Sequence, residues 1–161
     1  MPNSIKFWNG RSDKYDQAIS NHDAKYDQRL MQMRQLLKPT DHVLDFGCAT
    51  GEIALDLAEN VKTIDGIDSA EQMIARATEK AAQRGISNAA FMATDIFDPR
   101  LEAESYDAVL AFNILHLVKE RDEVVFRIKQ LLKPGGMLFV ETPCMCEAPM
   151  ALRGAIKLAG V

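Results

Sequence analysis

The chain is short of the features that mark several functional classes. It has three cysteines in 161 residues, Cys48, Cys144 and Cys146, too few and too unevenly placed for a disulfide framework. Cys144-x-Cys146 has the look of half a metal site, but no second Cys/His pair completes it, so no metal is expected. No stripe of basic residues is present; lysines and arginines alternate with acids and the net charge is −4, which argues against a general nucleic-acid binder. Long apolar runs are missing too. Residues Ala108–Val118 are far too few to span a bilayer and include Asn113 and His116, and the start of the chain lacks a signal-peptide core. These absences place the expected protein in the cytoplasm, without a membrane span.

What is present is an alternation. The first forty residues stand apart. Phe7, Trp8 and Tyr15 lie among charges, and Tyr26, Leu30, Met33 and Leu37 recur at helical spacing, predicting an amphipathic helix over 24–37 that Lys38-Pro39 ends. From residue 41 onward strands at 42–46, 62–68, 89–95, 106–113 and 137–142 are interleaved with helices at 52–60, 71–84 and 119–132, and a last helix is expected at 148–158. Gly85 closes the second of these helices, and Lys133-Pro134-Gly135-Gly136 ends the third. Strands separated by helices imply one parallel sheet with right-handed crossovers. The expected organisation is a single domain over 1–161, with a helical cap over 1–40 and an α/β core over 41–161.

In such a sheet ligands bind beyond the carboxyl ends of the strands. There the first three strands each deliver a carboxylate, Asp45, Asp68 and Asp95, and the fourth delivers Asn113. A dinucleotide would need G-x-G-x-x-G after the first strand; this turn reads Gly47-x-Ala49-x-x-Glu52, and an acid in the first helical turn opposes a pyrophosphate. An acidic rim suits a sulfonium, an ammonium and ribose hydroxyls better. The expected ligand is therefore S-adenosylmethionine (SAM) rather than a nicotinamide nucleotide.

Val43-Leu44-Asp45-Phe46-Gly47-Cys48-Ala49-Thr50-Gly51 resembles the SAM-binding motif of class I methyltransferases. The resemblance continues through Gly66-Ile67-Asp68, Ala93-Thr94-Asp95-Ile96-Phe97, Tyr106-Asp107-Ala108-Val109, Phe112-Asn113-Ile114-Leu115-His116 and Leu132-Lys133-Pro134-Gly135-Gly136. Among subfamilies the chain is most similar to small-molecule methyltransferases of the ubiquinone and menaquinone biosynthesis type. The resemblance implies a Rossmann-like three-layer sandwich with sheet order 3-2-1-4-5, and methyl transfer from SAM to a small molecule, leaving S-adenosylhomocysteine.

It also implies roles for individual residues. Gly47 and Gly51 let the backbone approach the methionine moiety, with Asp45 near its amino group and Cys48 and Ala49 in the same loop. Asp68, followed by Ser69, accepts the ribose hydroxyls. Asp95 takes the adenine amino group, and Met73 and Ile96 sandwich the ring. Asn113 borders the methionine end, and Tyr15, with Trp8, belongs to a lid.

The chain departs from the family pattern in three places. Ala49 stands where glycine is usual, and alanine resists positive φ. Ser69 replaces an apolar residue. The chain also stops before the customary strands 6 and 7, which reads as a C-terminal truncation and leaves the fifth strand as an open apolar edge, a surface for homodimer formation.

Several residues keep two readings. His116, the only histidine near the rim, is the one candidate for a general base, against the plainer reading of a core or helix-cap histidine. His22, His42 and Asp107 read as structural. Thr142-Pro143-Cys144 is not taken as a nucleophile motif, because it follows the fifth strand. Beside the enzyme stand two rivals: a SAM-binding domain without catalysis, and a Rossmann oxidoreductase.

Overall fold

A computed structural model of the chain describes residues 2–12, 15–16 and 24–142. Cys144, Cys146, His22 and the helix expected at 148–158 lie outside the described residues. The elements run α1 (Pro2–Asn9), α2 (Ala24–Leu36), β1 (His42–Phe46), α3 (Glu52–Leu57, continued by a 3-10 turn at Ala58–Asn60), β2 (Thr63–Asp68), α4 (Glu71–Arg84), β3 (Ala89–Ala93), β4 (Tyr106–Phe112), α5 (Arg121–Leu131) and β5 (Leu132–Glu141).

All strand pairs are parallel and the order is β3-β2-β1-β4-β5. This is the order that the resemblance implies. β1 and β4 are central and covered on both faces, which is why they read as nearly continuous apolar runs. Period-two alternation sorts their side chains. Val43, Ile64, Ala108 and Leu110 join Leu30, Met33, Leu37 and Leu57 in one cluster. Leu44, Ile67, Val109 and Ala111 join Val124, Ile128 and Leu131 in the other. Helices α2 and α3 therefore cover one face and α5 the other, giving three layers. Each such Leu, Ile or Val contributes about 1.5–3 kcal/mol on burial.

The helices end where local chemistry ends them. In α4, Met73, Ile74, Ala77 and Ala81 form the buried stripe. Gly85 then turns left-handed (φ 66°), and its N–H bonds to the Ala81 and Ala82 carbonyls. Two strand boundaries differ from the sequence reading by two residues or more. β3 stops at Ala93, because the Asp95 carboxylate accepts the Phe97 N–H (2.8 Å) and turns the chain. β5 begins at Leu132 rather than Met137, since the chain enters the sheet before the Pro-Gly-Gly turn. Pairing jumps from Tyr106↔Leu132 to Ala108↔Met137, so the turn is an irregularity within the strand.

Among the described residues β5 is an edge strand, with Leu138 and Val140 exposed. No described helix is long and apolar enough to cross a membrane.

The N-terminal segment docks over the carboxyl ends of the strands. The Asn9 side chain accepts the Gln72 N–H at the start of α4 (3.0 Å). Asp16 accepts the Thr50 hydroxyl (2.6 Å) and the Lys80 ammonium (3.0 Å).

Candidate functional site

The loop after β1 is a succession of left-handed residues: Gly47 (φ 77°), Ala49 (φ 47°) and Gly51 (φ 77°). Its backbone is pinned to β2, because the Gly47 and Cys48 N–H groups both donate to the Ile67 carbonyl (2.8 and 3.0 Å). Ala49 thus occupies the conformation that its departure from glycine makes costly. The strain is held by a hydrogen bond from the Ala49 N–H to the Asp68 carboxylate (3.1 Å). The other Asp68 oxygen accepts the Ala70 N–H (2.8 Å). Both oxygens are thereby oriented, and each keeps lone-pair capacity for a ligand.

The N-terminal segment and the carboxyl ends of the strands enclose a cavity of about 970 Å³. Of the residues singled out from sequence, Tyr15, Asp45, Gly47, Cys48, Ala49, Asp68, Ser69, Met73, Asp95, Ile96, Asn113 and His116 all line it. Gly51 does not. A Cβ on Gly51 would lie 2.9 Å from Ala77 and the Phe91 ring, so this glycine makes room for the packing of α3 against α4 and β3. Gly47 carries a similar constraint from Ile114, at 2.8 Å from a built Cβ. Ile114 was not legible as a site residue, nor were Tyr26, Arg29 and Phe112, which also line the cavity. They are brought in by α2 and the end of β4; Phe112 and Ile114 flank Asn113 in the quoted motif, whereas nothing in the local sequence marks Tyr26 and Arg29.

Electrostatically the cavity is divided. Asp45 is buried (3% exposed) and has no hydrogen-bond partner among the described residues. Burial and the neighbouring Asp68 push its carboxyl up to about 7. Asp68 is also raised by burial, but its two backbone N–H bonds oppose the shift, so of the pair Asp68 is the one that stays ionised. Tyr15 is pushed up to about 12, first by burial and then by Asp68 and Asp45. Burial pushes the Cys48 thiol up, leaving it an unreactive small hydrophobe.

Glu52 behaves differently from its sequence reading. Its carboxylate binds Lys80 (2.6 Å) and Arg84 (2.7 Å), so its charge is spent there and is a poor source of repulsion for a phosphate. Asp68, whose partners are backbone N–H groups, meets no cation among the described residues.

His116 presents a mixed picture. Its Nδ1 is sealed from solvent with no partner, and burial together with Arg121 lowers its pKa, so the ring is neutral. Any exchange with a ligand therefore rests on Nε2. At the opposite ends of the strands, Asp107 accepts the His42 N–H (2.8 Å) and pairs with Lys133 (2.7 Å). His42 pairs with Asp65 (2.9 Å). Both residues are structural there, as read from sequence. No group of His, Cys, Asp and Glu capable of holding a metal occurs among the described residues.

A family model described as a methyltransferase domain matches residues 37–157. A nocamycin O-methyltransferase from Saccharothrix syringae is 33% identical over 109 residues, covering 66% of this chain and 39% of its own length. A ubiquinone biosynthesis O-methyltransferase from Coxiella burnetii is 29% identical over 109 residues, covering 68% of this chain and 46% of its own length. Among solved structures the cyclase SpnF superposes with a TM-score of 0.67 at 30% identity, over 71% of this chain and 44% of its own. The chain thus spans less than half the length of these three proteins.

Proposed function

The chain belongs to the methyltransferase-domain family, and from that premise we propose that it binds SAM and transfers its methyl group to a small-molecule acceptor. The observation that carries this reading is the pair Asp45 and Asp68. One is an ionised carboxylate whose oxygens are oriented by backbone N–H groups, and the other is buried without a partner among the described residues. Such a pair suits a ligand with a diol and a cationic end, and it disfavours a pyrophosphate.

The residues fit the donor along the sheet order. Asp68 at the end of β2 takes the ribose hydroxyls. Met73 and Ile96, both buried, flank the adenine towards β3, with Asp95 at its amino group. The left-handed loop at Gly47 and Ala49 admits the amino-acid end, which Asn113 borders. When bound, SAM supplies an electrophilic methyl on a sulfonium. The protein's part is to align the acceptor with it and exclude water, and Tyr15 and Trp8 of the docked N-terminal segment are placed for that. His116 is the group available to hold an acceptor proton, through Nε2. The net negative charge supports a small acceptor over a nucleic acid, and β5, an edge strand among the described residues, supports pairing with a second copy.

A second reading is SAM binding without methyl transfer; the likeness to SpnF, a structure named as a cyclase, supports it. Thermal shift with SAM, S-adenosylhomocysteine, NAD and NADP tests the ligand. Stabilisation by the two SAM species alone is expected, and equal stabilisation by NAD refutes the reading. Transfer of radiolabelled methyl into a metabolite extract then separates the enzyme from the non-catalytic binder.

A further inference from the structure

Asp45 is the cavity group whose chemistry the reading above leaves unfinished. Its carboxyl faces Asp68 from β2, Tyr15 from the N-terminal segment and Cys48 from its own loop. Tyr15 and Cys48 are neutral, for the reasons given above. Lys80, the cation near this loop, is committed to Glu52 and Asp16. Among the described residues Asp45 is therefore buried beside one anion, with no hydrogen-bond donor and no counter-ion. An ionised carboxylate in that position would lose most of its hydration and would have only the cavity side from which to be compensated.

We propose that Asp45 carries a proton while the cavity is free of ligand and gives it up to solvent when the ammonium group at the amino-acid end of the donor arrives, so that the site exchanges a proton for a cation. This rests on the SAM-binding reading. The sheet order supplies the placement: with the ribose at Asp68 on β2 and the adenine towards β3, the amino-acid end lies over β1 and β4, where Asp45 stands. The step balances. The carboxyl O–H bond breaks, its proton goes to water, and the carboxylate left behind accepts an N–H from the ammonium. No electron transfer is involved.

The linkage has a definite direction. Below the free-state pKa of about 7, ligand binding releases a proton, and apparent affinity rises about tenfold per pH unit. Above it, Asp45 is already ionised and both effects vanish.

Calorimetric titration of the full chain with S-adenosylhomocysteine, in pairs of buffers that differ in ionisation enthalpy, counts the protons. Release of nearly one proton per site is expected at pH 6, and none at pH 8.5. 5′-Methylthioadenosine, which lacks the amino-acid end, should bind and release none. Asp45→Asn should still bind methylthioadenosine but bind S-adenosylhomocysteine without proton release. That variant also separates Asp45 from His116, the cavity imidazole whose pKa burial and Arg121 lower.

Binding of S-adenosylhomocysteine at pH 6 without proton release overturns the exchange and leaves the SAM reading standing. Equal release by methylthioadenosine overturns it as well. Binding of neither compound overturns both.

Discussion

Replacing Asp45 by asparagine keeps the shape of the protonated acid and removes the charge, so its effect on folding should depend on pH. The Asp45 carboxyl lies at about 7 in the folded protein against an ordinary value of 3.8. Because the folded-state value is raised, the folded protein holds this proton more tightly than the unfolded chain does. Between these two values the unfolded chain ionises first, and stability is lost as pH rises. At 1.36 kcal/mol per unit, a gap of roughly three units corresponds to about 4 kcal/mol, an upper bound that relaxation around a buried charge lowers to about 2–4 kcal/mol. Asp45→Asn lacks this loss. Urea unfolding of both proteins at pH 4.5, 5.5, 6.5 and 8, without ligand, gives the difference in unfolding free energy. Wild type should fall behind the variant progressively across that series, and the difference should level off above pH 7. Parallel pH profiles, within about 1 kcal/mol, would refute the claim that Asp45 is buried without a partner.

Three further substitutions follow from the loop and the rim. Asp68→Ala should weaken S-adenosylhomocysteine binding by about 2–4 kcal/mol, since ligand hydroxyls lose a charged acceptor and the Ala49 and Ala70 N–H groups lose theirs; an unchanged dissociation constant by calorimetry counts against the ribose role. Ala49→Gly should stabilise the protein by about 0.5–1 kcal/mol in urea unfolding, because φ 47° costs alanine and not glycine; a loss of stability would show that the alanine methyl packs usefully. Gly51→Ala should destabilise by about 1–3 kcal/mol through its contact with Ala77 and Phe91. It should leave ligand affinity at the folded protein intact, and a selective loss of affinity would return Gly51 to the binding surface.

The rim was readable because strand ends and ligand-facing residues coincide in a parallel sheet. Once the apolar runs His42–Phe46 and Tyr106–Phe112 were read as central strands, Asp45, Asp68 and Asn113 had to fall on one side of it. Gly51 shows the limit of that reasoning. Its motif position suggests ligand contact, but its neighbours come from α4 and β3, and only their packing reveals that the missing side chain makes room for Phe91. Glu52 shows the same limit for charge. As an acid in the first turn of a helix it looked like a repulsive group, yet Lys80 and Arg84, one helical turn apart on α4, neutralise it.

By itself the sequence determined the alternation of elements, the sheet order that the motif resemblance implied, the left-handed demand at residue 49 and the acidic rim of the cavity. These depend on periodicity, on glycine placement and on motifs, all of which are local along the chain. The tertiary structure decided which charges have partners. Asp16, Glu52 and Asp68 find theirs in segments distant in sequence or in the backbone of the loop, and among the described residues Asp45 is left with none. It also decided that the Asp95 carboxylate ends β3 and that His116 seals one of its ring nitrogens. The reason is physical: the energy of a charge or a hydrogen bond depends on solvent exclusion and on groups within a few ångströms, and both are set only when separated segments meet.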